Sequence, residues 1–303
     1  MDLKQIEYIV QIAMENNITR AAEKLFMTQP ALNQQLLKLE KELGTPLFYR
    51  SRTDWRPTEA GKIYIKNAQE ILRIKKETYN FIRDITETKK GQITVGFTPG
   101  RGIAMFTNVY PDFHKEFPEV TVSPVELSVR RQQELIAHGD LDIGFLTVCE
   151  SSKANLRYIP ICDEEIVLAI PMSHTQAKYA TNPFTTVDMN QFQDDPFVLA
   201  YKESSLRPLI DEIFKTAGYQ PKVLFETSSN SAIVTMIQSN LCCGILPYYY
   251  VKNALDKLAC FCLPNYPTWS LVACYRSGSY LSRSAQHFIN LATEFWAKEF
   301  PPR

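Results

Sequence analysis

Apolar residues recur at intervals of three and four along residues 1–44, and this spacing predicts three short helices in succession. The first helix is expected to end at Asn16-Asn17, which also cap the next helix. The second helix covers Ile18–Leu25, and the third begins at Gln29 and stops at Gly44, a residue that tolerates a left-handed turn. The expected core faces consist of Leu3, Ile6, Ile9, Val10 and Ala13 on the first helix and Leu32, Leu36, Leu39 and Leu43 on the third.

The second and third helices have the spacing of a helix-turn-helix, in which the second helix of the pair enters the major groove of DNA. Thr28 can cap the third helix, and Pro30 falls in its first turn, where the missing N–H costs little. Ala21-Ala22 keep the preceding helix slim, so that the two can cross closely. The polar face of the third helix carries side chains able to hydrogen-bond base edges or phosphates, namely Asn33, Gln34, Lys38 and Lys41. An ordinary helical hairpin with a solvated polar face is the alternative.

A two-stranded wing is predicted directly after this motif. Pro46–Arg50 has the pattern of a strand, residues 51–54 form a turn, and Trp55–Pro57 returns. Arginines at such a hairpin are placed to contact the sugar-phosphate backbone or the minor groove. The predicted DNA-binding residues are therefore Thr28, Gln29, Pro30, Asn33, Gln34, Lys38, Arg50, Arg52 and Arg56.

A long helix is expected from Glu59, capped by Thr58, to about residue 88, which is about 45 Å at 1.5 Å per residue. Its apolar positions follow a stripe that Lys75 or Lys76 interrupts: Ile65, Ala68, Leu72, Tyr79 and Ile82. Such a stripe needs a partner, either the same helix of a second copy or the helix's own domain.

Strands and helices alternate after the predicted hinge at Lys89-Lys90-Gly91, which is typical of an α/β fold with a largely parallel sheet. The chain is divided into residues 1–58, a winged helix-turn-helix; residues 59–89, the long helix; and residues 90–303, an α/β part with two lobes. Residues 90–161 and 266–303 are assigned to lobe I, and residues 162–265 to lobe II.

Composition narrows the function less than these patterns do. The chain has 303 residues, 45% of them hydrophobic, and no net charge, so any attraction to DNA must come from a local patch. The start at Met1-Asp2-Leu3-Lys4 lacks the apolar segment of a secretion signal, and no window approaches a membrane span, so a cytoplasmic location is expected. The seven cysteines match neither zinc spacing nor a disulfide framework, and buried reduced thiols are the simplest interpretation.

The first ninety residues resemble the winged helix-turn-helix of the LysR-type transcriptional regulators. The resemblance implies a linker helix that pairs antiparallel with its copy, and a regulatory domain with the periplasmic-binding-protein fold that holds a small effector between its lobes. It also implies a homodimer or homotetramer on two half-sites of double-stranded DNA, with contact to RNA polymerase. Many family members have Ser-Arg where this chain has Asn33-Gln34, which changes the expected operator sequence. The residues that carry the resemblance are Ala21-Ala22, Leu25, Thr28-Gln29-Pro30-Ala31-Leu32, Leu39-Glu40, Leu43-Gly44, Pro46-Leu47-Phe48, Arg50, Arg52, Pro57-Thr58 and Ala60-Gly61.

An effector site is expected at the carboxyl ends of the strands, where ligands bind in open α/β sheets. Hydroxyls and free amides at helix starts suit an anion, and Arg101 and Lys202 are expected to supply charge, so a carboxylate effector is favoured. The alternative is that these residues only cap helices. The predicted effector-binding residues are Thr98, Pro99, Gly100, Arg101, Ser128, Val129, Thr147, Lys202, Ser204, Ser205, Thr227, Ser228 and Pro247.

Three other functions are alternatives for this chain: an enzyme, a redox regulator and a solute-binding protein. An enzyme lacks a catalytic constellation, since the sequence has no nucleophile elbow or phosphate loop and the spacing of His114, His138, His174 and His287 does not suggest a metal site; no cofactor or metal is expected. A thiol-based redox regulator would use the same DNA-binding machinery with a different trigger. A solute-binding protein would share the fold of the C-terminal two-thirds but has no use for the N-terminal module.

Overall fold

The computed structural model describes residues 2–50, 55–86, 90–149, 153–181 and 184–299. The chain separates into two compact units, Met1–Thr88 and Lys89–Arg303. The predicted turn of the wing, with Arg52, lies outside the described residues, as does part of the predicted hinge. No helix in the described parts of the chain is long and apolar enough to cross a membrane.

The first unit is a three-helix core followed by a small hairpin and a long helix. Its buried centre includes Ile9, Ala21, Ala22, Leu36 and Trp55. The predicted face of the third helix is buried at Leu32, Leu36 and Leu39, but Leu43 is 44% exposed because the helix ends there and the chain turns away. Its elements are α1 Leu3–Glu15, α2 Ile18–Lys24, α3 Gln29–Leu43, β1 Phe48–Arg50, β2 Trp55–Pro57 and α4 Glu59–Ile85.

Side-chain caps set the helix starts at the positions that the sequence indicated. The Asn17 carboxamide oxygen accepts hydrogen bonds from the amides of Thr19 and Arg20. Thr28 caps α3 by accepting from the Ala31 amide. Thr58 does more than cap α4: its hydroxyl accepts from the Gly61 amide at 3.0 Å and donates to the Pro46 carbonyl at 2.8 Å, which ties α4 to the start of the wing.

The stripe on α4 is divided between two environments. Ala68 is buried in a cluster with Ile6 and Val10 of α1, so the first half of the stripe packs within its own unit. Tyr79 and Ile82 are 56% and 51% exposed. A second set of exposed apolar residues was missed by the sequence interpretation. It is spaced by about one to three helical turns along another face of α4 and comprises Ile63, Ile74, Phe81 and Ile85.

The second unit contains the remaining helices and strands. They are β3 Lys90–Phe97, α5 Arg101–Glu116, β4 Glu119–Glu126, α6 Val129–His138, β5 Ile143–Val148, β6 Arg157–Pro171, β7 Pro196–Ala200, α7 Arg207–Ala217, β8 Lys222–Thr227, α8 Asn230–Gln238, β9 Gly244–Pro247, α9 Tyr248–Val251, β10 Leu258–Cys262, β11 Thr268–Tyr275 and α10 Arg283–Glu299. Two short 3₁₀ turns occur at Ala177–Tyr179 and Met189–Phe192.

The main sheet has the strand order β10-β6-β11-β5-β3-β4, with β9 also paired to β6. The expectation of a largely parallel sheet is wrong: β3 pairs in parallel with β4 and β5, whereas β6 and β11 make only antiparallel pairs. The reason is β6, a fifteen-residue strand. Its first part pairs with β11, and its last part pairs with β9 and β10, so one strand crosses between two lobes and β11 returns beside it.

Each lobe has its own core. In the first, Phe97, Phe113, Phe288 and Trp296 pack α5 and α10 against the sheet. In the second, Phe197, Ile210, Phe214 and Phe261 belong to a separate buried cluster. The chain crosses between the lobes in β6 and returns into β11. Residues that follow β3 in the first lobe and β7 and β8 in the second line one cavity.

Candidate functional site

The start of α3 presents a set of exposed polar residues. Thr28, Gln29, Pro30, Gln34 and Lys38 are exposed, and Asn33 is half-buried. Their helix is held from behind by Leu32 and Leu36, both with no exposed surface. A rigid, apolar-backed helix that presents amides, a hydroxyl and a cation to solvent is suited to contact base edges and phosphates.

The wing is fixed to α3 by a buried carboxylate. Glu40, whose side chain is 8% exposed, accepts a hydrogen bond from the Leu47 amide at 2.8 Å and forms an ion pair with Arg50. The Arg50 guanidinium also lies 5.8 Å from the centre of the Trp55 ring. Arg50 is thus partly occupied inside the protein and orients the hairpin, a role that the sequence interpretation did not foresee. Arg56 is exposed on β2.

Phe26, between α2 and α3, was also given no role. Its side chain is 98% exposed and its φ is 53°, the left-handed region that a bulky residue seldom adopts. A hydrophobic pattern alone places a phenylalanine in a core, so no signal in the sequence would have found this exposure.

The second unit has a cavity of about 230 Å³ between its lobes. Ten of the thirteen predicted effector residues line it: Thr98, Pro99, Gly100, Arg101, Ser128, Val129, Thr147, Ser204, Ser205 and Ser228. Lys202, Thr227 and Pro247 are not among the lining residues. The lining also includes residues absent from the prediction: Tyr201, Glu203, Ser229, Asn230, Ser231, Tyr250 and Trp269.

Three helices, α5, α6 and α8, begin at this cavity. The first amides of a helix carry partial positive charge, so these helix starts favour an anion in the cavity. Some of the hydroxyls cap these helices, as the alternative interpretation stated: Ser128 accepts from the Arg131 amide and Ser229 from the Ala232 amide. The side-chain hydroxyls of Ser205 and Ser228 make no hydrogen bond within the described residues. The site therefore combines caps that hold the helices with hydroxyls available to a ligand.

Arg101, which was expected to supply charge to an effector, is buried and already has an acidic partner. Its side chain is 3% exposed and forms an ion pair with Glu164, whose side chain is 1% exposed. The atom Arg101 Nη2 is nevertheless buried without a hydrogen-bond partner among the described residues. Glu203 is the other charged group of the lining and is exposed. Gly100 precedes α5 with a φ of 82°, a conformation that glycine adopts without strain.

All seven cysteines are free thiols. Burial raises the pKa of Cys162 to about 11 and that of Cys260 and Cys274 to about 12. Burial also raises the pKa of the Cys242 and Cys243 thiols. A thiol must ionise to react with an oxidant, so these five are poorly suited to redox sensing.

His174, Asp195 and Cys243 are brought together in space although they are far apart in sequence, with their ligand-type atoms within 4.8 Å of one another. The ring already has two partners: His174 Nδ1 accepts from the Gln176 amide at 3.1 Å, which leaves the proton on Nε2, 3.1 Å from Asp195. A metal ion at Nε2 would have to displace that proton and the Asp195 contact. We therefore regard the group as structural.

Comparison with known proteins places both units in one family. Residues 3–62 match the family described as bacterial regulatory helix-turn-helix protein, lysR family, and residues 86–297 match the LysR substrate binding domain. The uncharacterized HTH-type transcriptional regulator YwbI of Bacillus subtilis is 30% identical over 95% of both chains. The Hca operon transcriptional activator HcaR of Escherichia coli is 28% identical over 97% of this chain and 98% of its own.

Solved structures share the fold of the whole chain. A full-length OxyR from Pseudomonas aeruginosa has a TM-score of 0.71 at 22% identity, and covers 97% of both chains. Full-length CbnR in complex with its target DNA has a TM-score of 0.60 at 19% identity, and covers 97% of this chain and 99% of its own. The exposed α3, the wing, the two-lobed second unit and these matches lead to one conclusion: the chain belongs to the LysR family, and is a DNA-binding transcriptional regulator with an effector-binding domain.

Proposed function

We propose that the protein binds an operator as a homodimer or a dimer of dimers, with α3 in the major groove, the wing on the backbone or minor groove, and a small carboxylate between the lobes as effector. The observation that carries the DNA-binding part is the exposed polar start of α3 on a fully buried apolar support. In this proposal residues 1–58 bind DNA, residues 59–89 pair two subunits, and residues 90–303 respond to the effector.

The DNA contacts divide by chemistry. Gln29, Asn33 and Gln34 carry amides that can bond to base edges, whereas Thr28 and Lys38 suit phosphate oxygens. Arg52 and Arg56 are assigned to the wing contact. Arg50 forms an ion pair with Glu40, so its main contribution is to orient the hairpin.

Subunit pairing is assigned to α4. Its exposed residues Ile63, Ile74 and Ile85 lie on one face, and 51–66% of each side chain is in contact with solvent. The matching face of a second copy is the occupant that we propose, because two DNA-binding units must be joined to reach two half-sites. Pairing doubles the phosphate contacts of a chain whose net charge is zero.

The effector is assigned to the cavity between the lobes. Helix starts, free hydroxyls and a buried guanidinium donor all favour an anion. The exposed Glu203 at the same cavity opposes a second negative charge, so a monocarboxylate fits better than a dicarboxylate. Binding there would change the angle between the lobes and thereby the bending of the promoter and its contact with RNA polymerase.

This role needs no catalytic group, and we propose that the chain is not an enzyme and acts in the cytoplasm, where a bacterial regulator meets the chromosome. A redox trigger is disfavoured by the five thiols whose pKa is raised by burial. A solute-binding protein would leave the exposed face of α3 without a purpose.

A gel shift on the DNA upstream of the coding sequence tests the proposal. Gln29→Ala should weaken binding to this DNA more than to unrelated DNA, and Lys38→Met should lower the salt slope by about one per contacted half-site. Lys115→Met, which removes an exposed lysine of α5 in the second unit, is the control and should have no effect. Unchanged affinity and salt slope in both α3 variants would contradict the DNA-binding assignment.

A further inference from the structure

One buried ionic cluster lies between the effector cavity and the two points where the chain crosses from lobe to lobe. Arg101, the first residue of α5, lines the cavity, and its Nη1 forms an ion pair with Glu164 of β6. The guanidinium carbon of Arg101 lies 5.0 Å from the centre of the Trp269 ring. The second nitrogen, Nη2, has no partner among the described residues.

Both oxygens of the Glu164 carboxylate accept hydrogen bonds. Its Oε1 accepts a hydrogen bond from the Tyr249 amide at 2.8 Å, and its Oε2 accepts one from Trp269 Nε1 at 2.8 Å besides the Arg101 contact. The three donors come from three separate segments: the start of α5, the start of α9 and the start of β11. Glu164 therefore joins segments that no local sequence pattern would hold together.

Glu164 and Trp269 lie where the chain passes between the lobes, once outward along β6 and once on its return into β11. Glu164 pairs across the strands with Trp269, and Glu165 with Thr268, but Ile166 pairs with Pro247 of β9 in the second lobe. Glu164 thus lies at the end of the β6 segment that belongs to the first lobe. The returning chain enters β11 at Thr268, two residues after Tyr266. Asn265 and Tyr266 have φ values of 64° and 48°, and both are left-handed. The carboxylate consequently lies beside the outgoing and the returning strand.

We propose that Arg101 is shared between Glu164 and the effector, and that Glu164 transmits the presence of the effector to the two crossings. The inference rests on the proposed function, since it takes the cavity as the effector site. An anion bound to Nη2 places two carboxylates on one buried guanidinium. The attraction between Arg101 and Glu164 then weakens. The hydrogen bonds that the Glu164 carboxylate accepts from Trp269 Nε1 and from the Tyr249 amide change in strength as a result.

The arrangement explains why a charge pair is buried here at all. Apolar side chains of similar volume would stabilise such a position as well or better. Arg101 lines the cavity and has one nitrogen without a hydrogen-bond partner among the described residues, so this pair can respond to an incoming anion, which an apolar contact cannot do. Arg101 is in this view a ligand-binding residue, and Glu164 is a positioning residue that does not touch the ligand.

The test uses the full chain with benzoate and its neutral counterpart benzamide as probes. Calorimetric titration measures the preference for the acid, and hydrogen exchange followed by mass spectrometry measures the response of residues 158–168 and 263–270. The variants are Arg101→Lys, Arg101→Met and Glu164→Gln. Glu165→Gln is the matched control, because alternation along β6 places this neighbouring carboxylate on the other face and glutamine keeps an oxygen that can accept from the Cys262 thiol.

In the native protein and in Glu165→Gln, benzoate should bind at least about tenfold more tightly than benzamide, as expected for a charge-assisted hydrogen bond, and should change exchange at both crossings. Glu164→Gln should keep the preference for the acid but lose the exchange response. Arg101→Met should lose both, and Arg101→Lys, with one compact ammonium in place of a fork, should lose most of the preference.

The failures are distinguishable. If the native protein binds acid and amide equally, or neither at millimolar concentration, the proposed effector chemistry is wrong and the inference falls with it. Suppose that the native protein prefers benzoate, and that benzoate changes hydrogen exchange at residues 158–168 and 263–270 as much in Glu164→Gln as in Glu165→Gln. The effector assignment then stands, and the role of Glu164 in transmitting the signal is refuted. If Glu164→Gln does not fold, Arg101→Lys decides, since a native-like preference and exchange response in that variant contradict the sharing.

Discussion

The bond between Glu40 and the Leu47 amide predicts how strongly the wing is held to the recognition helix. Glu40→Ala removes the acceptor of the Leu47 amide and the partner of Arg50. A hydrogen bond to a charged group contributes about 1.5–3 kcal/mol, and loss of it leaves the buried amide without a partner. The ion pair adds at most about 1 kcal/mol, because the Arg50 side chain is 38% exposed. We therefore expect a loss of about 2–4 kcal/mol in the first unit.

Amide hydrogen exchange of residues 45–50 in the full chain measures this loss directly. At 1.4 kcal/mol per factor of ten, exchange at Leu47 should accelerate by about 30- to 700-fold in Glu40→Ala. Arg50→Met removes only the ion pair and should accelerate it by less than about fivefold. Glu40→Gln keeps an oxygen for the Leu47 amide and should lie between them.

The ranking of the variants is the decisive result. Equal acceleration in Glu40→Ala and Arg50→Met would show that the ion pair, and not the bond to the backbone, holds the wing. No acceleration in either would refute the reasoning altogether. DNA affinity measured on the same variants should fall in the same order, because the hairpin loses its fixed position beside α3.

Three further predictions concern other parts of the molecule. Gly61→Ala should destabilise the first unit by about 3 kcal/mol or more in urea unfolding, because the new Cβ would lie 1.9 Å from the Leu47 carbonyl oxygen. Phe26→Gly should stabilise that unit by about 1 kcal/mol by relieving the left-handed backbone, whereas Phe26→Ala, which keeps a Cβ, should not; equal effects would contradict the strain. Burial raises the pKa of the Cys260 and Cys274 thiols to about 12, so they ionise more readily in the unfolded chain than in the folded protein. The two thiols should not affect the free energy of unfolding below about pH 9, and this free energy should fall as the pH rises toward 12. Replacing both cysteines with alanine should reduce that fall.

The helix-turn-helix is the part that the sequence describes best. Its helix starts depend on caps from Asn17, Thr28 and Thr58, which act on amides two or three residues away, and its core face depends on a local period. Such short-range interactions are visible in a linear pattern. The same holds for most of the cavity lining, because strand ends and helix starts follow from the alternation of elements.

Other features depend on contacts between distant residues. The parallel or antiparallel direction of strands was misjudged because β6 pairs with partners about one hundred residues away. The apolar stripe on α4 was divided by the packing of α1 against one half of it. The ion pair between Arg101 and Glu164 was not predicted, since nothing near Arg101 in the chain reveals Glu164.

The sequence by itself determined the family and the order of the helices and strands, and it predicted ten of the residues that line the cavity, because these follow from local periodicity, capping and motif spacing. Only the tertiary structure decided which charges are available: Arg50 is held by Glu40 and Arg101 by Glu164. The physical reason is that burial and pairing of a charge are set by whatever the fold brings within a few ångströms of it, and such neighbours can lie anywhere along the chain.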